Sequence, residues 1–222
     1  MCWNAQISLC TFIFALAASI ISLVSGYGHW REFVFFMSFA SMQLLEFFIW
    51  TYIGNASVNR ILSALGLALI MLQPIAAGFY INGARNALIY SAVYTVFLIF
   101  FFAYHAPFDF STVVNSNGHL QWNWLNTSAI VTILWTAFVL SAIWMSCKTT
   151  VNKLLIITLI VSMTVVSWWN FKSSGTWGTV YCSFVNIAFL FIMIKVFYRL
   201  YTETPPVGGS GCFFVKASPH PP

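Results

Sequence analysis

Seven long apolar stretches occupy the chain between Ala5 and Tyr201. Crossing the hydrocarbon takes about 20 predominantly apolar residues per helix. In lipid every backbone polar group must be satisfied within the protein, so apolar runs of this length read as helices. The expected spans are Ala5–Gly26, Phe33–Ile53, Val58–Ile81, Ala87–Tyr104, Leu125–Met145, Leu154–Trp169 and Trp177–Tyr201. The sixth is short, and Lys153 can snorkel to the interface to lengthen it. The fold class that follows is an all-α membrane protein, a seven-transmembrane-helix bundle over 1–201 with a tail over 202–222. Composition agrees: 6% of residues are charged, against about 25% in soluble domains.

Orientation follows from Lys and Arg in the short connections. Arg31, Arg85, Lys148, Lys153, Lys195, Arg199 and Lys216 fall on one side, and Arg60 and Lys172 on the other. The first side is therefore expected to be cytosolic, with the N-terminus outside and the C-terminus in the cytosol. The net charge of +5 is then a topology signal. The partner it implies is the lipid bilayer, with no nucleic acid. The first stretch lacks a positive n-region and exceeds a signal-peptide h-region, so it reads as a span. Asn55-Ala56-Ser57 and Asn126-Thr127-Ser128 are acceptor sequons near the expected outer ends.

One connection is long. Ala106–Asn123 carries Asn117-Gly118, a two-residue hairpin signal of type I′. It is flanked by Thr112, Val113 and Val114 and by alternating Leu120, Trp122 and Trp124. The expectation is a small extracellular β-hairpin lying over the outer ends of the helices, with an irregular loop as the alternative. The tail is Pro- and Gly-rich and reads as disordered, with Cys212 beside two Phe residues as a possible acylation point. A faint repeat relates Trp3-Asn4 to Trp122-Asn123 and Ser41-Met42 to Ser162-Met163. It would suit a plan of three helices, a linker helix and three helices.

Glu46 is the sharpest chemical feature. It is expected deep in the second span, where a charge costs about 2.5–3.5 kcal/mol even on lenient scales. Gln43 and Trp50 share its helical face. An ion, proton or polar-ligand site fits these residues, and so does an interhelical hydrogen bond that only locks packing. Pro74, preceded by Gln73, sits inside the third span and frees the carbonyl of Ile70. That makes either a polar spot beside a binding site or a simple kink. Thr179, Ser183 and Asn186 form a polar stripe on the last span, adjoined by Cys182. Ser8, Thr11, Ala15, Ala18 and Ser22 form a small-residue stripe on the first. Both are candidate helix contacts or site walls. Trp3, Trp50, Trp122, Trp124, Trp168, Trp169 and Trp177 fall near the expected outer interface. They read as an aromatic belt or as the lining of a vestibule.

No enzyme is expected. The chain has no GxSxG, HExxH, P-loop or GxGxxG motif, and its His residues are scattered over loops, ends and tail. It has no CxxC, and no His stands at ligand spacing from a Cys, so neither a metal nor a cofactor is expected. Cys2 and Cys182 both fall near the outer face, as a disulfide or as two thiols. A retinal protein would need a Lys in the middle of the last helix, whereas Lys195 lies near its cytosolic end.

The opening Met1-Cys2-Trp3-Asn4-Ala5-Gln6-Ile7-Ser8-Leu9 resembles that of a family of membrane proteins beginning Met-Cys-Trp, found in large DNA viruses, algae and some bacteria. Ser41-Met42-Gln43-Leu44-Leu45-Glu46-Phe47-Phe48-Ile49-Trp50, Gln73-Pro74, Trp177-Gly178 and Cys182 share the resemblance. The family is uncharacterised and carries over no catalytic residue. The resemblance implies that Cys2-Trp3, Gln43 with Glu46, Gln73 and Cys182 belong together, in one site open to the outside. The leading functional expectation is a small transporter or channel for a small solute or ion. Its site residues would be Gln43, Glu46, Gln73, Thr179, Cys182, Ser183 and Asn186. The alternatives are a ligand-binding or signalling seven-helix protein and a structural membrane component, as of a viral membrane.

Overall fold

The computed structural model describes residues 4–79, 81, 83–125, 129–146, 150–172 and 175–202. Among them are seven α-helices: α1 (Ala5–Val24), α2 (Trp30–Thr51), α3 (Ala56–Gly78), α4 (Ala84–His105), α5 (Ala129–Ser146), α6 (Thr150–Phe171) and α7 (Trp177–Thr202). Caps set the first three starts. Asn4 Oδ1 accepts from the Ile7 N–H at 2.9 Å, and Asn55 Oδ1 from the Val58 N–H at 3.1 Å. At α2 the His29 ring accepts from the Arg31 N–H at 3.3 Å, and the Glu32 carboxylate accepts from the His29 N–H at 3.1 Å. This reciprocal cap starts α2 three residues before the expected Phe33. Arg31 and Glu32 interrupt the apolar run but not the helix. The short sixth span is likewise a full helix of 22 residues that takes Lys153 inside it.

Helices α1 to α4 are each long and apolar enough to cross a membrane, and Val131–Ser146 of α5 is a shorter apolar helix. Leu88, Phe100, Val165, Trp169 and Ile194 are exposed, while Glu32, Gln43, Glu46, Asn59, Ser63 and Gln73 are buried. Apolar outside and polar inside reverses the arrangement of a soluble protein, and the apolar helices fit an integral membrane protein.

The helices pack as a ring of α1, α2, α3, α5, α6 and α7, with α4 set against the outside of α3. α1 against α2 is the most extensive contact, α3 packs on α2, α4 and α5, α6 on α5 and α7, and α7 returns to α1. Ser8, Ala15, Ala18 and Ser22 of the small-residue stripe are all buried, and Ala15 and Ala18 pack in one cluster with Ala40 of α2 and Phe189, Ile192 and Val196 of α7. The faint repeat has no counterpart in packing. α1 and α2 lie tightly together, whereas α5 and α6 part around an apolar groove of about 390 Å³.

The long connection does form a hairpin. Strand β1 (Thr112–Val114) pairs antiparallel with β2 (Leu120–Trp122), Val113 facing Gln121. Its turn is not type I′, which needs positive φ at both central residues; Gly118 has φ +77° and Asn117 does not. Gly118 N–H donates to Asn115 O and Asn115 N–H to His119 O, both at 2.9 Å. This is a three-residue loop, a type I turn closed by a glycine bulge. Nor does the hairpin lie over the helix ends as a separate layer. Leu120, Trp122 and Trp124 join the largest core cluster, with Met42, Leu45 and Ile49 of α2 and Leu67 and Met71 of α3. Trp122 and Trp124 are therefore core residues and not members of an interfacial belt. The Trp122 ring lies where a side chain on Gly66 would collide with it.

Candidate functional site

Glu46 is fully enclosed, with 0% of its surface exposed, and Gln43 one turn earlier is almost as buried. The α1–α2 contact positions them: the Thr11 hydroxyl donates to Gln43 Oε1 at 3.0 Å. Trp50 lies one turn beyond Glu46 and packs against the cluster that contains Trp122 and Trp124. The indole nitrogens of Trp50, Trp122 and Trp124 are all buried with no hydrogen-bond partner among the described residues. Buried indoles ordinarily find an acceptor. This end of α2 thus combines a carboxylate with three donors that an acceptor group can satisfy.

Gln73 is buried but stands apart from Glu46. Its Nε2 donates to Ser38 O at 3.4 Å, which is about 12 Å back along α2 from Glu46 at 1.5 Å per residue. Gln43 lies between the two along α2. The proline kink is also occupied. The Ile70 carbonyl that Pro74 frees accepts from Trp135 Nε1 on α5 at 3.0 Å. The Tyr94 hydroxyl donates to Met71 O at 2.7 Å, and the Tyr90 hydroxyl to Pro74 O at 2.9 Å. Three aromatic donors from α4 and α5 thus bond carbonyls of α3 around Pro74.

On α7, Asn186 is half-buried, and its Oδ1 has no hydrogen-bond partner among the described residues. The side chains of Thr179, Cys182 and Ser183 lie outside the described residues, as do Cys2, Trp3, Asn126 and Cys212. The disulfide expectation and the tail fall there too. Asn55 spends its side-chain oxygen on capping α3.

The hairpin supplies contacts that sequence patterns do not reveal. Asn59 Nδ2 donates to Thr112 O and Asn59 Oδ1 accepts from Thr112 N–H, both at 2.9 Å. One amide side chain thus continues the sheet from the helix. Ser63 Oγ meets Thr112 Oγ1 at 2.7 Å. On the far side Asn117 Nδ2 donates to Thr176 Oγ1 at 3.0 Å. His119 stands edge-on to Phe171, and burial lowers its pKa. The hairpin ties the start of α3 to the α6–α7 turn and closes this end of the bundle.

Glu32 is the buried carboxylate that apolar-run reasoning missed, because it falls at the edge of a run. The signal was present as His29 followed three residues later by Glu32, the spacing of a reciprocal cap. No protein-family model matches the chain, and no curated protein or solved structure does either.

Proposed function

We propose that the chain is a seven-pass membrane protein with the hairpin end outside, and that it is a small transporter or channel for a small polar solute or ion, not an enzyme. The observation that carries the reading is the set of three buried indole donors without acceptors among the described residues, those of Trp50, one turn from the enclosed Glu46, and of Trp122 and Trp124 in the cluster that Trp50 packs against. A solute oxygen satisfies the indoles, and Glu46 one turn from Trp50 supplies the ionisable group of the path. Enclosure of Glu46 and closure by the hairpin correspond, in this reading, to an occluded state. The bias of Lys and Arg toward the opposite end supports the orientation. Membership of the Met-Cys-Trp family is proposed with it, on the residues that carry the resemblance.

A structural role is the second reading, favoured by the full occupation of the proline kink. Flux separates the two. Purified protein in liposomes is assayed for proton and sodium entry with entrapped indicators, wild type against Glu46→Gln. Glutamine keeps the size and hydrogen bonding of a protonated glutamate but cannot ionise. Transport predicts flux in the wild type that Glu46→Gln abolishes while the thermal midpoint is retained. Equal flux in both proteins removes Glu46 from the mechanism, and absence of flux in the wild type favours the structural role.

A further inference from the structure

The groove of about 390 Å³ between α5 and α6 runs from Thr132 to Leu140 on one wall and from Trp169 to Val161 on the other. Eight residues at 1.5 Å each make it about 12 Å long. Both walls begin near the hairpin end and stop close to the middle of their helices, since α5 starts at that end and α6 finishes there. One leaflet is half of a hydrocarbon core about 30 Å thick. The groove therefore runs roughly the depth of the hairpin-side leaflet. Ile133, Val165 and Trp169 of its walls are exposed apolar residues, which places its mouth on the flank of the bundle. In a bilayer that flank faces lipid.

The outer end of the groove is cationic. Lys172 directly follows α6 and is exposed, and its ammonium lies over the ring of the groove residue Trp168, 4.6 Å from the centroid. Arg60, exposed near the start of α3, adds a second cation at this end of the bundle. The described carboxylates are engaged or distant. Asp109 accepts from Ser111 at 2.7 Å and from Asn123 at 3.1 Å. Glu46 is enclosed, and Glu32 caps the far end of α2. The C-terminus of α6 brings about half a negative charge and the N-terminus of α5 about half a positive one, so the two dipoles offset. Shape then separates two occupants. A helix is about 10 Å across, so 12 Å of it fills roughly 900 Å³, more than twice the groove. An extended acyl chain is one methylene wide and follows the groove along its length.

We propose that the α5–α6 groove binds one anionic phospholipid of the hairpin-side leaflet, with an acyl chain between the helices and the headgroup phosphate at Lys172. The site rests on the membrane reading, with α5 and α6 as spans, and not on transport. The test is native mass spectrometry of the delipidated full chain in detergent, titrated with dioleoylphosphatidylglycerol or dioleoylphosphatidylcholine. Wild type should saturate at one phosphatidylglycerol per chain, held about fivefold more tightly than phosphatidylcholine, the increment of one lysine near an anionic headgroup. Lys172→Gln should hold the two lipids equally. Ala137 is exposed and lines the groove, so Ala137→Phe should fill it, lose both lipids and unfold in lipid-free detergent like wild type. Should Ala137→Phe fail to fold, Lys172→Gln at its exposed position still decides the headgroup contact. Equal retention of the two lipids by wild type overturns the proposal, as does a preference that survives in Lys172→Gln or binding unchanged in a folded Ala137→Phe. A dimer that Ala137→Phe splits makes a second copy the occupant and overturns it too. A chain that needs detergent yet retains no phosphatidylglycerol sinks the site alone. A chain that stays monodisperse once detergent is withdrawn sinks the membrane reading and the site with it.

Discussion

Replacing Trp135 with Phe deletes one donor and leaves the Ile70 carbonyl, already deserted by Pro74, without a partner. The expected cost is about 1 kcal/mol, the size of an interhelical hydrogen bond in a membrane. Pro74→Ala restores a backbone N–H that can reach Ile70 from within α3. Trp135→Phe should therefore cost less in a Pro74→Ala background, and a double-mutant cycle on thermal midpoints measures the coupling. Additive effects would mean that the indole does not serve the kink. His119 gives a pH signature. Burial lowers its pKa from the ordinary 6.5, so on acidification the unfolded chain takes up the proton first. Stability is complete above about pH 6.5 and declines as pH falls through that value toward the lower folded pKa. His119→Gln should flatten this slope in a pH series of melting curves; an unchanged slope assigns it to other groups. At this scale the sequence was partly legible. Glu46, Gln43, Gln73 and Pro74 stand out against apolar neighbours. Trp135 did not, because a tryptophan in an apolar run reads the same whether it faces lipid or a carbonyl.

The hairpin is the element whose place pattern reading misjudged. Alternating Leu120, Trp122 and Trp124 marked a strand, and Asn117-Gly118 marked a turn. The depth at which that strand packs depends on Gly66, which leaves the space that the Trp122 ring occupies. A lone glycine in an apolar helix does not announce its partner. Integration into the core changes what substitutions should do. Gly118→Val forces a β-branched residue to φ +77° and should cost about 1–2 kcal/mol. Asn59→Ala strands the buried N–H and C=O of Thr112, at about 2–3 kcal/mol. Both should lower the thermal midpoint in detergent as core substitutions do. Midpoints within a degree of wild type would make the hairpin a loose cover and weaken the occluded reading of Glu46.

For the whole molecule, the seven helices among the described residues were legible because long apolar runs read as helices. The ring order was not, since it depends on which faces carry small residues and which carry the groove. Orientation relative to the bilayer rests on the placement of Lys and Arg, and it makes one direct prediction. Ser57 and Ala84 lie in the first turns of α3 and α4, at opposite ends of the bundle, and both are exposed. With native cysteines removed, Ser57→Cys should react with an impermeant maleimide in intact cells. Ala84→Cys should react only after the membrane is opened. The hairpin end would then be the outer face, and the Glu46 cluster would lie nearer the outside than Glu32. The reverse pattern would exchange the two: the hairpin would close the cytosolic end, and Glu32 would lie nearer the outside than Glu46.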